Sequence, residues 1–186
     1  MSIFDHNVKL TAAAAVALLA SCATVDDHQA MRPSGTPALG RVATAAEVAA
    51  ADISIPPSGA GLPAGRGTVK QGEAVYAAQC QSCHGARGAG KPADALVGGA
   101  GTLAGENALR TVASYWPHAT TLFDYTRRAM PLNRPQSLSN DEVYAVTAYV
   151  LHVGGILPAD AALDAQTLAQ VRMPNRDGFV DRSMKR

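Results

Sequence analysis

Cys80-Gln81-Ser82-Cys83-His84 reads C-x-x-C-H, the sequence to which a c-type haem is attached. Two thiols three positions apart at a helix end can each reach one vinyl group of a single porphyrin. The histidine that follows then lies under the iron and offers an imidazole nitrogen. Other cofactors ask for other patterns. A structural zinc site needs four ligands, and the chain has no second C-x-x-C or H-x-H cluster to complete one. A thioredoxin-like pair belongs in a βαβ pattern, which is missing. The remaining alternative is structural: two buried thiols beside an incidental histidine. The stretch therefore points to one covalent haem c on Cys80 and Cys83, with His84 as proximal ligand.

Upstream, Val69 through Gln79 lacks proline and reads as a helix. Gly72, Tyr76 and Cys80 recur every four residues and share one face. Gly72 weakens that helix unless a second helix needs close approach there. Downstream, Gly85 to Gly105 is glycine-rich and is expected to wrap the haem as a loop. Pro92 lies in it, and its carbonyl is a candidate acceptor for the His84 Nδ1–H. Glu106 to Ser114 reads as a helix stopped by Trp116-Pro117, and Thr121 to Ala129 as another. Ser139-Asn140-Asp141-Glu142 is a capping box, with Leu138 and Val143 placed as a hydrophobic staple. It opens a helix to about His152 that Gly154-Gly155 ends. That helix carries Tyr149, which could lie across the Gly72 notch.

One histidine leaves an iron coordination position open, and its occupant decides the function. A thioether raises the reduction potential and closes the iron to small molecules, which favours electron transfer over catalysis. Met130 stands before Pro131, and a residue before proline is biased toward extended backbone. That ends the preceding helix and leaves Met130 on a loop, which makes it the choice for distal ligand. Met173-Pro174 has the same proline stop but sits in the tail, and Met31 and Met184 lie near the ends. His118 is a weaker rival, while His28 and His152 read as tether and helix residues. Met130 could instead be a core filler.

At 186 residues the chain suits one modest domain with extensions. Aromatics are 5% of residues, so a large self-sufficient core is not expected, and a haem would supply apolar bulk. A net charge of +1 gives no sign of a nucleic-acid surface. Lys9 and the apolar run Leu10 to Ala20 have the form of a signal peptide and are too short to span a bilayer. The run ends in Leu19-Ala20-Ser21-Cys22, which resembles a bacterial lipobox and makes Cys22 a candidate lipidation site. The alternative is ordinary cleavage near Ala20 or Ala23. Either route exports the chain, and the expected address is periplasmic with a lipid anchor in a membrane. The layout is then a lipoprotein-type signal peptide over 1–21, a tether and strap over 22–66, a haem domain over 67–157 and a C-terminal extension over 158–186. Within the tether, Thr44-Ala45-Ala46-Glu47 is a capping box for a short helix through Ala51, and Ile53 to Leu62 suits an extended strap.

Helix, C-x-x-C-H, wrapping loop, Met-Pro and a final helix with an aromatic resemble the plan of class I cytochromes c, an all-α fold. Tyr115-Trp116-Pro117-His118-Ala119-Thr120-Thr121-Leu122-Phe123-Asp124-Tyr125 and Arg128-Ala129-Met130-Pro131 narrow the resemblance. So do Pro135-Gln136-Ser137-Leu138, Asn140-Asp141-Glu142-Val143-Tyr144-Ala145 and the tail Met173-Pro174-Asn175-Arg176-Asp177-Gly178-Phe179. Together these are similar to the cytochrome c subunits of periplasmic sulfite and sulfane dehydrogenases, over about residues 39 to 180. The resemblance implies a molybdenum-cofactor subunit that oxidises a sulfur compound and passes electrons singly to the cytochrome. It implies thioether attachment at Cys80 and Cys83 and axial ligation by His84 and Met130. Two departures stand out. Subunits of the sulfane type often carry a second haem domain, and this chain has one attachment site. The family's loop proline precedes a Leu-x-Gly-Gly by two residues, a place held here by Asp94.

The expected function is electron transfer to a downstream cytochrome or oxidase, with no catalytic role for the chain itself. Arg127 and Arg128 could steer a partner or neutralise haem propionates. The alternatives are a general periplasmic shuttle and a catalytic haem enzyme with an open sixth position.

Overall fold

The computed structural model describes residues 40–180. The chain divides into two units, Met1–Thr44 and Ala45–Arg186. Of the first, the described residues 40–44 are exposed coil. The signal peptide, Cys22, His28, Met31 and Met184 lie outside the described residues.

The second unit is helical with one small sheet. In order it holds α1 (Ala45–Ala51), β1 (Arg66–Thr68), α2 (Val69–Gln79), α3 (Gln81–His84), a 3-10 turn (Ala86–Gly88), α4 (Ala119–Ala129), α5 (Asn140–Val153), β2 (Ala162–Asp164) and α6 (Ala165–Gln170). Among the described residues no helix is long and apolar enough to cross a membrane.

α5 is the centre. Every residue from Val143 to Leu151 is buried, which is the pattern of a helix enclosed on all sides. It starts where the sequence says it should: Ser139 Oγ accepts from the Glu142 N–H, and the Ser139 N–H donates to Glu142 Oε2 at 2.8 Å. α2, β1, α4 and β2 pack around it. Val143 is fully buried and Leu138 packs against the core, as the staple requires.

α2 crosses α5 with almost no gap. A Cβ at Gly72 would stand 1.8 Å from the Ala145 carbonyl oxygen and 2.8 Å from Tyr149 Cβ. At Gly67 it would stand 2.1 Å from the Ala145 amide nitrogen. The expected notch is therefore real, and Tyr149 lies across it, with its ring 5.1 Å from that of Tyr76. Such an aromatic pair contributes about 0.5–1.5 kcal/mol beyond its buried area. α2 also has a capping box, Thr68 with Gln71, that follows the same T-x-x-Q rule.

Two expectations need correction. Glu106–Ser114 is not a helix but a run of turns. The Thr111 N–H donates to Ser114 Oγ, the Ser114 N–H to Thr111 Oγ1, and Ser114 Oγ–H to the Leu109 carbonyl. Those hydroxyls capture the backbone groups a helix would have used. α4 begins at Ala119, two residues before the expected Thr121. In the tail, β2 pairs antiparallel with β1, Arg66 opposite Asp164 and Thr68 opposite Ala162, and Leu163, Leu168 and Met173 join the core.

The strap before β1 is fastened to α4 and α5. Its Ile53 and Pro57 carbonyls accept from Arg127 and Thr120, its Ile55 N–H donates to Asp124, and the Pro63 carbonyl accepts from the Tyr144 hydroxyl. Ile55 itself is buried. α1, in contrast, buries no residue.

Candidate functional site

α2 ends at Cys80, whose N–H still donates to the Tyr76 carbonyl at 2.9 Å. The backbone bends there (φ −120°, ψ −36°) and α3 makes one turn, so Cys83 and His84 follow at once. The Cys83 and His84 amides both donate back to the Cys80 carbonyl. Gly85, at φ +71°, reverses the chain, and a Cβ on it would stand 2.3 Å from the Gly90 carbonyl oxygen. The Tyr76 hydroxyl donates to the Gly85 carbonyl at 2.8 Å. Burial pushes that phenol up to about 12, so it stays a neutral donor. The Cys80 thiol is half-buried against the core, and burial, with Cys83 alongside, pushes it up to about 11. Cys83 is exposed, and neither thiol is in a disulfide.

His84 is oriented by the loop beyond it. Its Nδ1 lies 2.9 Å from the Asp94 carbonyl oxygen. A carbonyl only accepts, so Nδ1 carries the proton and Nε2 keeps its lone pair for a metal. The expected acceptor Pro92 is not used. The Lys91 N–H donates to the Ala93 carbonyl and the Ala93 N–H to the Cys83 carbonyl, a tight turn that brings Asp94 to the ring instead.

Met130 caps α4. Its N–H donates to the Thr126 carbonyl at 3.1 Å and its backbone is extended (φ −118°, ψ 146°), as a residue before proline requires. Its side chain is half-buried. The loop after it returns to the cysteines, since Arg134 Nη2 donates to Gln79 Oε1 at 2.7 Å, one residue before Cys80. Met173 sits elsewhere. It is 1% exposed within the apolar core, and its neighbour Arg172 bridges His118 at the opposite end of α4. An 11-residue helix puts those ends about 16 Å apart. His118 Nδ1 is buried without a hydrogen-bond partner, and desolvation, then the Arg176 charge, lowers its pKa. His152 Nδ1 lies 3.0 Å from the Leu157 carbonyl oxygen, a partner it finds at the end of α5.

Arg127 and Arg128 are not a free pair. Arg127 donates to the Ile53 carbonyl, and Arg128 makes a two-pronged ion pair with Asp124. Asp124 escaped the sequence reading, although its i,i+4 spacing from Arg128 was a usable signal.

The residues present fit a haem. They offer two thiols without a disulfide, an imidazole whose proton is parked on the far nitrogen, and a thioether on a loop tied back to the thiols. Leu132, two residues past Met130, is 79% exposed and adds apolar area available to a macrocycle. Among the described residues no group of three or more His, Cys, Asp or Glu could hold a metal ion. When bound, a haem supplies one-electron chemistry. Cys80 and Cys83 would hold it, and His84 Nε2 and Met130 Sδ would be the candidate ligands to its iron.

Residues 67–150 match the family model described as cytochrome c oxidase, cbb3-type, subunit III. No curated protein matches the chain. Among solved structures, one chain of the sulfane dehydrogenase SoxCD from Paracoccus pantotrophus is 39% identical, with a TM-score of 0.71. The match covers 80% of this chain and 75% of that one. The protein is thus a class I c-type cytochrome with the all-α fold of that family, it resembles the cytochrome c subunit of sulfite and sulfane dehydrogenases, and it is built for electron transfer through haem c.

Proposed function

We propose that this chain carries one covalent haem c and is the electron-transfer subunit of a sulfur-oxidising dehydrogenase. It takes electrons one at a time from a molybdenum-containing subunit and passes them to a downstream cytochrome or oxidase, and it performs no substrate chemistry itself. The observation that carries this reading is the 39% identity with SoxCD over 80% of the chain. With His84 and Met130 both ligating it, the iron would have no position for substrate. Export, cleavage before Cys22 and lipid anchoring of the mature chain at a membrane complete the proposal. They place the protein in the periplasm beside its partner.

The test is purification of the tagged protein from its native host. A molybdenum-containing subunit is expected to copurify and to reduce the cytochrome when a sulfite or sulfane substrate is added. Copurification of a small oxidase alone would replace the reading with a general shuttle. Rapid carbon monoxide binding by the reduced protein would replace it with a haem enzyme whose sixth position is open.

A further inference from the structure

Asp124, midway along α4, is 8% exposed. Its Oδ1 accepts from the Ile55 N–H at 2.8 Å, across 69 positions of sequence, and from Arg128 Nε at 2.9 Å. Its Oδ2 accepts from Arg128 Nη2. Burial opposes its ionisation, but the hydrogen bonds from Arg128 and Ile55 and the charges of Arg128 and Arg127 outweigh that and lower its pKa. Thr120, Asp124 and Arg127 share one face of α4 and grip strap residues 57, 55 and 53 in turn. The strap therefore runs antiparallel to α4 as a splint. Its far end reaches the turn from which Met130 leaves. Ala50 to Ser54, Arg128 and Gln136 line one open cleft, so the strap also lies beside the loop that follows Met130.

We propose that Asp124 is a positioning residue for the Met130 thioether: by clamping Ile55 of the strap to the last turns of α4, it holds the segment that delivers the methionine to the iron. α4 ends in an extended residue with no further helix to brace it, so its last turn would otherwise fray. The clamp closes with charge-assisted hydrogen bonds, which are stronger than neutral ones. This inference rests on the reading of Met130 as axial ligand.

The test uses the full-length, haem-loaded protein and two readouts: the methionine-to-iron charge-transfer band of the ferric form, and the affinity of the ferric form for imidazole, which competes with the thioether. Asp124→Ala is expected to weaken the band and to bind imidazole about tenfold more tightly, equivalent to about 1.4 kcal/mol. Asp124→Asn keeps an acceptor for Ile55 but loses the ion pair, and should fall between. Thr120→Val cuts the strap bond farthest from Met130 and should stay within about twofold of wild type, the scatter of a neutral change. Should Asp124→Ala not fold, Asp124→Asn and Arg128→Gln carry the same comparison. Wild-type band and affinity in the Asp124 variants, whatever their melting temperature, would overturn the inference, as would an equal shift in Thr120→Val. Absence of the band from the wild type would instead remove Met130 as ligand.

Discussion

Gly72→Ala is expected to leave little folded protein. The new Cβ would stand 1.8 Å from the Ala145 carbonyl oxygen, 2.5 Å from its carbon and 2.8 Å from Tyr149 Cβ. The first two are backbone atoms in the middle of α5, which cannot rotate aside. The helices would have to part, and with them the Tyr76–Tyr149 contact and the buried run Val143 to Leu151. Ordinary overpacking costs roughly 1–3 kcal/mol, and a clash with fixed backbone belongs to the exceptional class above about 4 kcal/mol. Alanine's better helix propensity returns only about 1 kcal/mol. Against a total stability of about 5–15 kcal/mol the net loss is large. Thermal unfolding followed by circular dichroism should show a midpoint lower by on the order of 10–20 °C, or no soluble protein. A midpoint within about 2 °C of wild type, a change worth under 1 kcal/mol, would show that α2 and α5 are not in backbone contact at Gly72.

Met130→Ala is expected to keep the fold and change the iron. Met130 is half-buried at the end of α4, whereas Met173 is enclosed in the core. Loss of Met130 therefore removes a ligand with modest damage to packing. The ferric charge-transfer band should vanish and the reduced form should bind carbon monoxide readily. The midpoint potential should fall by on the order of 0.2 V, within the ~0.8 V range that axial ligands span. Met173→Ala should do the reverse, leaving band and potential in place while costing about 2–5 kcal/mol as a cavity. If the two variants exchange these phenotypes, the distal ligand is Met173.

What could be read in advance was what neighbours in sequence decide. The span of α2, the capping box at Ser139, the extended residue before Pro131 and the glycine notch at Gly72 each rest on signals a few residues long. The failures have more than one cause. Glu106 to Ser114 has helical composition, but Thr111 and Ser114 spend their hydroxyls on each other's amides. β2 is three residues long and pairs with β1 almost a hundred positions earlier, too short a stretch to announce itself. At the candidate site, the Asp94 carbonyl reaches His84 only because a local turn displaces Pro92. Of the two arginines, Arg127 holds the strap and Arg128 pairs with Asp124, which takes the Ile55 N–H; Ile53 and Ile55 come to α4 from some 70 positions away. The C-x-x-C-H motif was legible because its residues occupy five consecutive positions.

The most direct measurement is made on the chain purified from its native host, after complete denaturation and extraction with acidified organic solvent. The account predicts one tetrapyrrole per chain still attached, with the reduced pyridine spectrum of a haem joined by two thioether bonds, and its loss when Cys80 and Cys83 are both replaced by alanine. A polypeptide left colourless by extraction, or one whose colour survives without both cysteines, would contradict it.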